Sequence, residues 1–158
     1  MKKFLKNRKA KGFTLVELLI VLIIIGILAG ALLLVAGAGT DKANATKIVS
    51  NLRSMKAAGL MYYADTNTQW PTAVSELADY MEQGLVSADY LVTSADLDGE
   101  TGNETYVGYV GDLVDDDGVI EKLQLLKNTG VPIYPGNATG PQSGDFDAAG
   151  ETVWMAIN

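Results

Sequence analysis

One carboxylate, Glu17, lies close to the start of an apolar run that extends to Ala36. An apolar run of about eighteen residues or more is long enough for a helix to cross a bilayer. A charged side chain inside such a run is costly and indicates a functional site. Because a lone carboxylate in a low-dielectric setting is unstable, we expect Glu17 either to pair with a cation or to extend towards the lipid headgroups.

A second group of carboxylates, Asp96, Asp98 and Glu100, has the spacing with which a calcium-binding loop begins. Calcium takes about six to eight oxygen ligands, many of them from such loops. This segment lacks the glycine and the distal glutamate of the usual loop. A calcium site at these three residues is therefore one hypothesis, and a solvated acidic surface is the alternative.

The chain has no cysteine and no histidine. The absence of cysteine excludes disulfides, thiol catalysis and Cys-ligated zinc. The absence of histidine removes the commonest general base and transition-metal ligand. Ser-His-Asp and Cys-His sites are therefore excluded, and a membrane-anchored hydrolase is disfavoured. We predict that the protein is not an enzyme.

The charges are distributed unevenly along the chain. Six of the twelve basic residues lie within residues 1–12, which leaves six basic against nineteen acidic side chains in the rest. From Tyr62 onward only Lys122 and Lys127 oppose seventeen acids. An acidic head repels nucleic acid and anionic lipid, so we predict no nucleic-acid contact for it.

Three interpretations compete for residues 1–39. A secretory signal peptide fits the basic leader and the small residues at 36–38, but the apolar run is too long for one and Glu17 is out of place in it. An ordinary single-pass anchor fits the hydropathy, and the basic leader would keep the N-terminus cytoplasmic. The anchor explains neither Glu17 nor the abrupt junction between Gly12 and Phe13.

The third interpretation depends on a resemblance. Residues 11–21 have the sequence Lys-Gly-Phe-Thr-Leu-Val-Glu-Leu-Leu-Ile-Val, which closely resembles the processing site of type IV pilins and type II secretion pseudopilins. In that family a membrane peptidase cuts after the glycine and methylates the new N-terminal residue. The resemblance implies that Gly12 is the last leader residue and Phe13 the first mature one.

Glu17 follows Phe13 by four residues, which places both on the same side of a helix. A carboxylate is also favoured near a helix N-terminus. The resemblance implies that Glu17 pairs with the freed amine of Phe13, in its own or a neighbouring subunit, and so sets the axial register of assembly. Gly26 and Gly30 form a small-xxx-small pattern that permits close helix packing.

The sequence predicts four segments: a cleaved leader (1–12), a transmembrane or assembly helix (13–39), an amphipathic continuation of that helix (40–65) and an acidic globular head (66–158). Proline is absent between Phe13 and Asp65, and the glycines before Thr40 mark the expected break or bend. Residues 48, 52, 55 and 59 form one apolar side of the continuation, which is typical of core packing.

Weaker patterns predict the elements of the head. We expect short helices at Val74–Met81, closed by Gly84, and at Val119–Lys127, with a central strand as the alternative for the latter. Strands are expected at Thr105–Val110 and Thr152–Ile157, an edge strand or extended loop at Val131–Pro135, and turns through the rest of 85–117. The predicted fold class is α+β, with a long helix packed on a small antiparallel sheet, as in pilins.

Two functions follow as hypotheses. In the first, the protein is a prepilin-like subunit of the inner membrane that polymerises, alone or with other pilins, into a type IV pilus or a pseudopilus in the periplasm or outside the cell. Its implied partners are a prepilin peptidase and an inner-membrane assembly platform. In the second, it is a membrane-anchored extracytoplasmic module that binds calcium or a cationic ligand. Calcium is the one cofactor that we consider.

Overall fold

The computed structural model describes residues 12–81, 88–97, 103–148 and 150–158. The chain divides into two compact units, Met1–Gly37 and Ala38–Asn158. The first unit contains the N-terminal part of helix α1, which spans Leu15–Asp65. The second contains the rest of α1 and every element of the head.

Helix α1 has the length that the sequence predicts, but it has no break. It continues through Gly37 and Gly39, so the break expected before Thr40 is wrong, while the alternative of a bend stays a prediction. A glycine costs only about 1 kcal/mol relative to alanine in a helix, and no proline lies nearby to remove a hydrogen bond. The helix ends at Asp65 as predicted, where the backbone turns away through positive φ values at residues 67 and 68.

The apolar side of α1 forms the centre of the core in the second unit. Ile48, Leu52 and Met55 are at most 1% exposed, which confirms the packing that their spacing predicts. Gly59 belongs to the same side, and a Cβ atom there would lie 2.7 Å from Cδ1 of Ile157. A larger residue at position 59 would therefore require the side chain of Ile157, which follows the last strand, to shift.

The sheet has five antiparallel strands, β1 Tyr90–Ala95, β2 Glu104–Tyr109, β3 Tyr134–Asn137, β4 Gly140–Pro141 and β5 Thr152–Ala156. Their spatial order is β1-β2-β5-β3-β4, with every pairing antiparallel. The last strand of the chain is therefore the centre of the sheet. These strands and α1 confirm the predicted α+β class.

The sequence predicted β2 and β5 correctly and missed β1. Strand β1 lies in a region expected to consist of turns, although its Tyr-Leu-Val-Thr run is rich in aromatic and β-branched residues. Of the two alternatives for Val131–Pro135, the loop is correct for residues 131–133, which have no regular secondary structure. The edge strand is wrong, because β3 begins at Tyr134 and lies between β5 and β4. Pro135 is accommodated because β4 pairs only with Gly136 and Asn137.

The indole of Trp154 lies across two neighbouring strands. Trp154 is fully buried, and its register partners are Gly108 on β2 and Tyr134 on β3. A Cβ atom at Gly108 would lie 2.6 Å from Cδ2 of this ring, and one at Gly136 would lie 2.7 Å from its Nε1. The absence of a side chain at Gly108 and at Gly136 therefore leaves the space that the indole occupies.

Helix α2 spans Asp117–Asn128, which confirms the predicted helix and excludes the alternative strand. Asp116 caps it by accepting a hydrogen bond of 2.8 Å from the backbone N–H of Gly118. The helix predicted at Val74–Met81 is a 3₁₀ helix that ends at Tyr80. Gly84, expected to close it, lies outside the described residues.

Candidate functional site

In the first unit, Leu15–Leu33 is the one described segment that is long and apolar enough to cross a membrane. Its large apolar side chains are exposed on every side of the helix, from 50% at Ile20 to 81% at Leu33. A continuous apolar surface of this kind marks contact with a membrane or with other proteins. The segment therefore has the properties of an anchoring or assembly helix.

Glu17 forms a capping box with Thr14 at the start of α1. The Glu17 carboxylate Oε2 accepts hydrogen bonds of 2.8 Å from both the backbone N–H and the hydroxyl of Thr14. In return, the Glu17 N–H donates to the Thr14 hydroxyl over 3.2 Å. Two of the backbone donors at the helix start are satisfied in this way.

Thr14 was missed as a partner of Glu17. The signal was present, because threonine followed three residues later by glutamate, ahead of an apolar run, is the sequence pattern of a capping box. The chemistry of the pair is local: the charge of Glu17 lies in the first turn, where the helix dipole also stabilises it.

Gly12 and Phe13 precede the first turn of α1 in an exposed segment without regular secondary structure. Phe13 is 89% exposed, and a Cβ atom added at Gly12 would meet no atom within 4 Å. The peptide bond between them is therefore accessible to another protein. Cleavage of this bond, and methylation of the amine that it would free at Phe13, stay predictions.

Gly26 and Gly30 lie one turn apart on α1. A Cβ atom at either position would meet no atom within 4 Å beyond the helix itself. Both positions are therefore open on the helix surface, where a second helix could approach closely. Their role in helix packing stays a prediction.

The calcium hypothesis stays untested. Asp96 follows strand β1, whereas Asp98 and Glu100 lie outside the described residues. Across the segments that the structure describes, no group of three His, Cys, Asp or Glu side chains could hold a metal ion.

Lys127, on helix α2, forms hydrogen bonds with the loop before β5. Its ammonium group donates to the carbonyl of Gly144 and, over 3.1 Å, to Oδ1 of Asp145, and it lies 6.0 Å from the centre of the Phe146 ring. The backbone N–H of Phe146 donates to Oε1 of Gln124 over 2.8 Å. The hydrogen bond from Lys127 holds the pKa of Asp145 below its usual value.

Comparison with known proteins identifies the family of the chain. Residues 7–33 match the family described as the prokaryotic N-terminal methylation motif. The chain is 31% identical over 112 residues to the type II secretion system core protein G of Klebsiella michiganensis, across 71% of this chain and 70% of that protein.

Two pilins are also similar. The identity is 40% over 86 residues with the type IV wide pilus major component of Thermus thermophilus, across 54% of this chain and 63% of that protein. It is 34% over 91 residues with the toxin coregulated pilin of Vibrio cholerae, across 54% of this chain and 41% of that protein. No solved structure matches the chain. The chain is a structural pilin-like subunit and belongs to the family of type IV pilins and type II secretion pseudopilins.

Proposed function

We propose that this subunit is made as a precursor, is cut after Gly12, and polymerises through its N-terminal helix into a type IV pilus or a pseudopilus. The methylation motif at residues 7–33 supports processing between Gly12 and Phe13. The exposure of both residues ahead of α1 supports access by a prepilin peptidase. Phe13 would then carry the methylated amine.

The geometry of Glu17 carries this proposal. Both of its described hydrogen bonds to Thr14 fall on Oε2. In the described part of the chain, Oε1 therefore keeps its capacity to accept from a further donor. The amine released at Phe13 of a neighbouring subunit is a suitable donor, because a charge-assisted hydrogen bond is strong in an apolar setting. Such a pair fixes how far one helix is shifted along the next.

Before assembly, Leu15–Leu33 would cross the inner membrane. The six basic residues of the leader favour a cytoplasmic N-terminus and an acidic head on the other side. After processing, the apolar helices of neighbouring subunits would bury one another's surface, and Gly26 and Gly30 would permit close approach. The partners would be other pilin subunits, the peptidase and an inner-membrane assembly platform.

The first test is the mass of the N-terminus in native membranes and in isolated filaments. We expect a mature chain that begins with methylated Phe13. A working form that keeps its leader, or a chain cut near Gly39 as a signal peptide would be, contradicts the proposal.

The second test separates the charge of Glu17 from its capping role. Glu17→Gln keeps a side-chain acceptor for Thr14 but removes the charge, so we expect normal processing and a loss of filaments. Thr14→Val is the control: it keeps the charge, costs the helix about 1 kcal/mol of capping, and should still assemble. Filaments are counted by electron microscopy and by shear release from cells. Wild-type filament yield from the Glu17→Gln variant would refute the pairing.

A further inference from the structure

A groove of about 640 Å³ lies along one side of α2, between the helix and residues 146–148. Its lining includes the carboxylates Asp117, Glu121 and Asp147, and none of the described residues that line it is basic. Leu125 also lines the groove and is 59% exposed. The groove therefore combines negative charge with open apolar surface.

One side of the groove has a regular pattern along α2. Asp117, Glu121 and Leu125 follow one another at intervals of four residues, which places them in one row on the helix surface. From its N-terminal to its C-terminal end, the row consists of two acidic residues followed by an apolar one. We call these three residues the acidic row.

Helix α1 presents the complementary pattern. Arg53, Lys56 and Leu60 lie at spacings of three and four residues, so they share one side of α1. Arg53 is exposed, Lys56 is partly exposed and Leu60 is 45% exposed. From its N-terminal to its C-terminal end, this side consists of two basic residues followed by an apolar one. We call these three residues the basic row.

Within one copy of the chain, the two rows do not pair with each other. The ion pairs found among the described residues are Lys122 with Glu121 and Lys127 with Asp145. The pair between the adjacent residues 121 and 122 is exposed on its acidic side and is therefore weak. The charges of the basic row are thus available to another molecule.

We propose that the basic row of one copy docks in parallel along the acidic row of the next copy. At 1.5 Å per residue the rows are about 10 and 12 Å long, so their charged and apolar positions come into register. Arg53 would meet Asp117, Lys56 would meet Glu121, and the two exposed leucines would bury each other. Each copy would contribute a different surface to each of its two neighbours, so the contact is head-to-tail, as a helical filament requires.

This inference rests on the proposed filament and names one of its contacts between heads. The test uses the full-length chain, which has no cysteine of its own. Lys56→Cys and Glu121→Cys chains are expressed together, and isolated filaments are treated with a short bismaleimide. We expect a crosslinked dimer from the mixture. The doubly substituted chain should give a ladder of higher oligomers, because each copy then carries both reactive positions.

Lys47→Cys is the matched control, because residue 47 is exposed and lies about two and a half turns before Lys56, on the opposite side of α1. Paired with Glu121→Cys, it should give no crosslink. Filaments of normal yield without a 56–121 crosslink would overturn the docking and leave the proposed function intact. Equal crosslinking from position 47 would also overturn it. A wild-type chain that is processed but never forms filaments would refute the proposed function itself.

Charge reversal gives an independent measurement. Arg53→Glu with Lys56→Glu should lower filament yield roughly tenfold, because like charges would then face each other. Adding Asp117→Lys with Glu121→Lys in the same chain should restore the yield. Failure of the second pair to restore assembly of a folded, processed chain would contradict the docking.

Discussion

The surroundings of the Glu151 carboxyl group disfavour its charged form. Its Oε2 is buried without a hydrogen-bond partner among the described residues. Burial, and then the neighbouring Asp147, raise the pKa of Glu151 above its ordinary value. The folded chain therefore holds this proton more tightly than the unfolded chain does. The group stabilises the fold at low pH, and this contribution is lost as the pH rises through the raised pKa.

Glu151→Gln should therefore stabilise the protein at neutral pH, because a neutral amide removes the buried charge and can donate to Asp147. At about pH 4 the gain should largely disappear, since the wild-type carboxyl is then mostly protonated. Thermal unfolding at the two pH values measures the difference in melting temperature. Glu121→Gln, at an exposed position, should leave both melting temperatures nearly unchanged. A gain that is equal at both pH values would show that charge is not the cause.

For a single residue, the sequence predicts the role only when the residues that determine it lie nearby in the chain. Glu17 stands out because it is the one charge in an apolar run. Its partner Thr14 was also predictable from the capping pattern. The partners of Lys127 and Glu151 were not, because they come together through contacts of the folded loop between α2 and β5. Among many carboxylates, spacing alone does not identify Glu151 as one with a buried oxygen atom.

Among the elements, β5 and its neighbours depend on the space around Trp154. Gly108→Ala would place a methyl group within the indole ring of a fully buried residue. Overpacking of this kind costs about 1–3 kcal/mol. Chemical denaturation should show that loss in the free energy of unfolding. Gly140→Ala is the control, because its Cβ atom would lie at an ordinary 3.7 Å from Cγ2 of Thr93. Equal effects of the two substitutions would contradict this explanation.

The loop between α2 and β5 depends on Lys127. Lys127→Met keeps the aliphatic stem but removes the ammonium group, and the loss of its charged hydrogen bonds should cost about 1–2 kcal/mol. Hydrogen exchange at the Phe146 amide should become faster. Lys122→Met is the matched control, since Lys122 is equally buried but pairs only with its exposed neighbour Glu121. Unchanged exchange at Phe146 would refute the role of Lys127.

Periodicity predicted the long helix, the apolar side of α1, helix α2 and strands β2 and β5. It missed β1, whose run of strand-forming residues is short and lies among acidic turns, and it did not place β3 inside the sheet, because prolines at positions 132 and 135 favour an edge or a loop. The Tyr90 segment lies among acidic turns, yet it becomes a strand because it pairs with β2 along its whole length. The break expected before Thr40 did not occur, because the penalty for two glycines is small against the helix formers around them.

For the whole molecule, the two units differ in what stabilises them. The buried core of the described chain lies entirely in Ala38–Asn158, whereas Leu15–Leu33 contributes no buried residue. A chain that begins at Ala38 should therefore fold in water without detergent, with Thr40 able to cap the shortened helix. We expect one cooperative unfolding transition, with a melting temperature close to that of the full chain in detergent. A non-cooperative transition, or aggregation, would show that the first unit is needed for folding.

The large apolar side chains of Leu15–Leu33 are at least half exposed on every side of the helix. A surface that is so similar all round specifies the rotation of the helix about its own axis only weakly. Glu17 marks a height along the axis, and only Glu17 and small residues such as Gly26 and Gly30 distinguish one side of the segment from another. In any assembly built on this helix, much of the rotational orientation should therefore come from the head, where charges and exposed leucines differ from one side to the other.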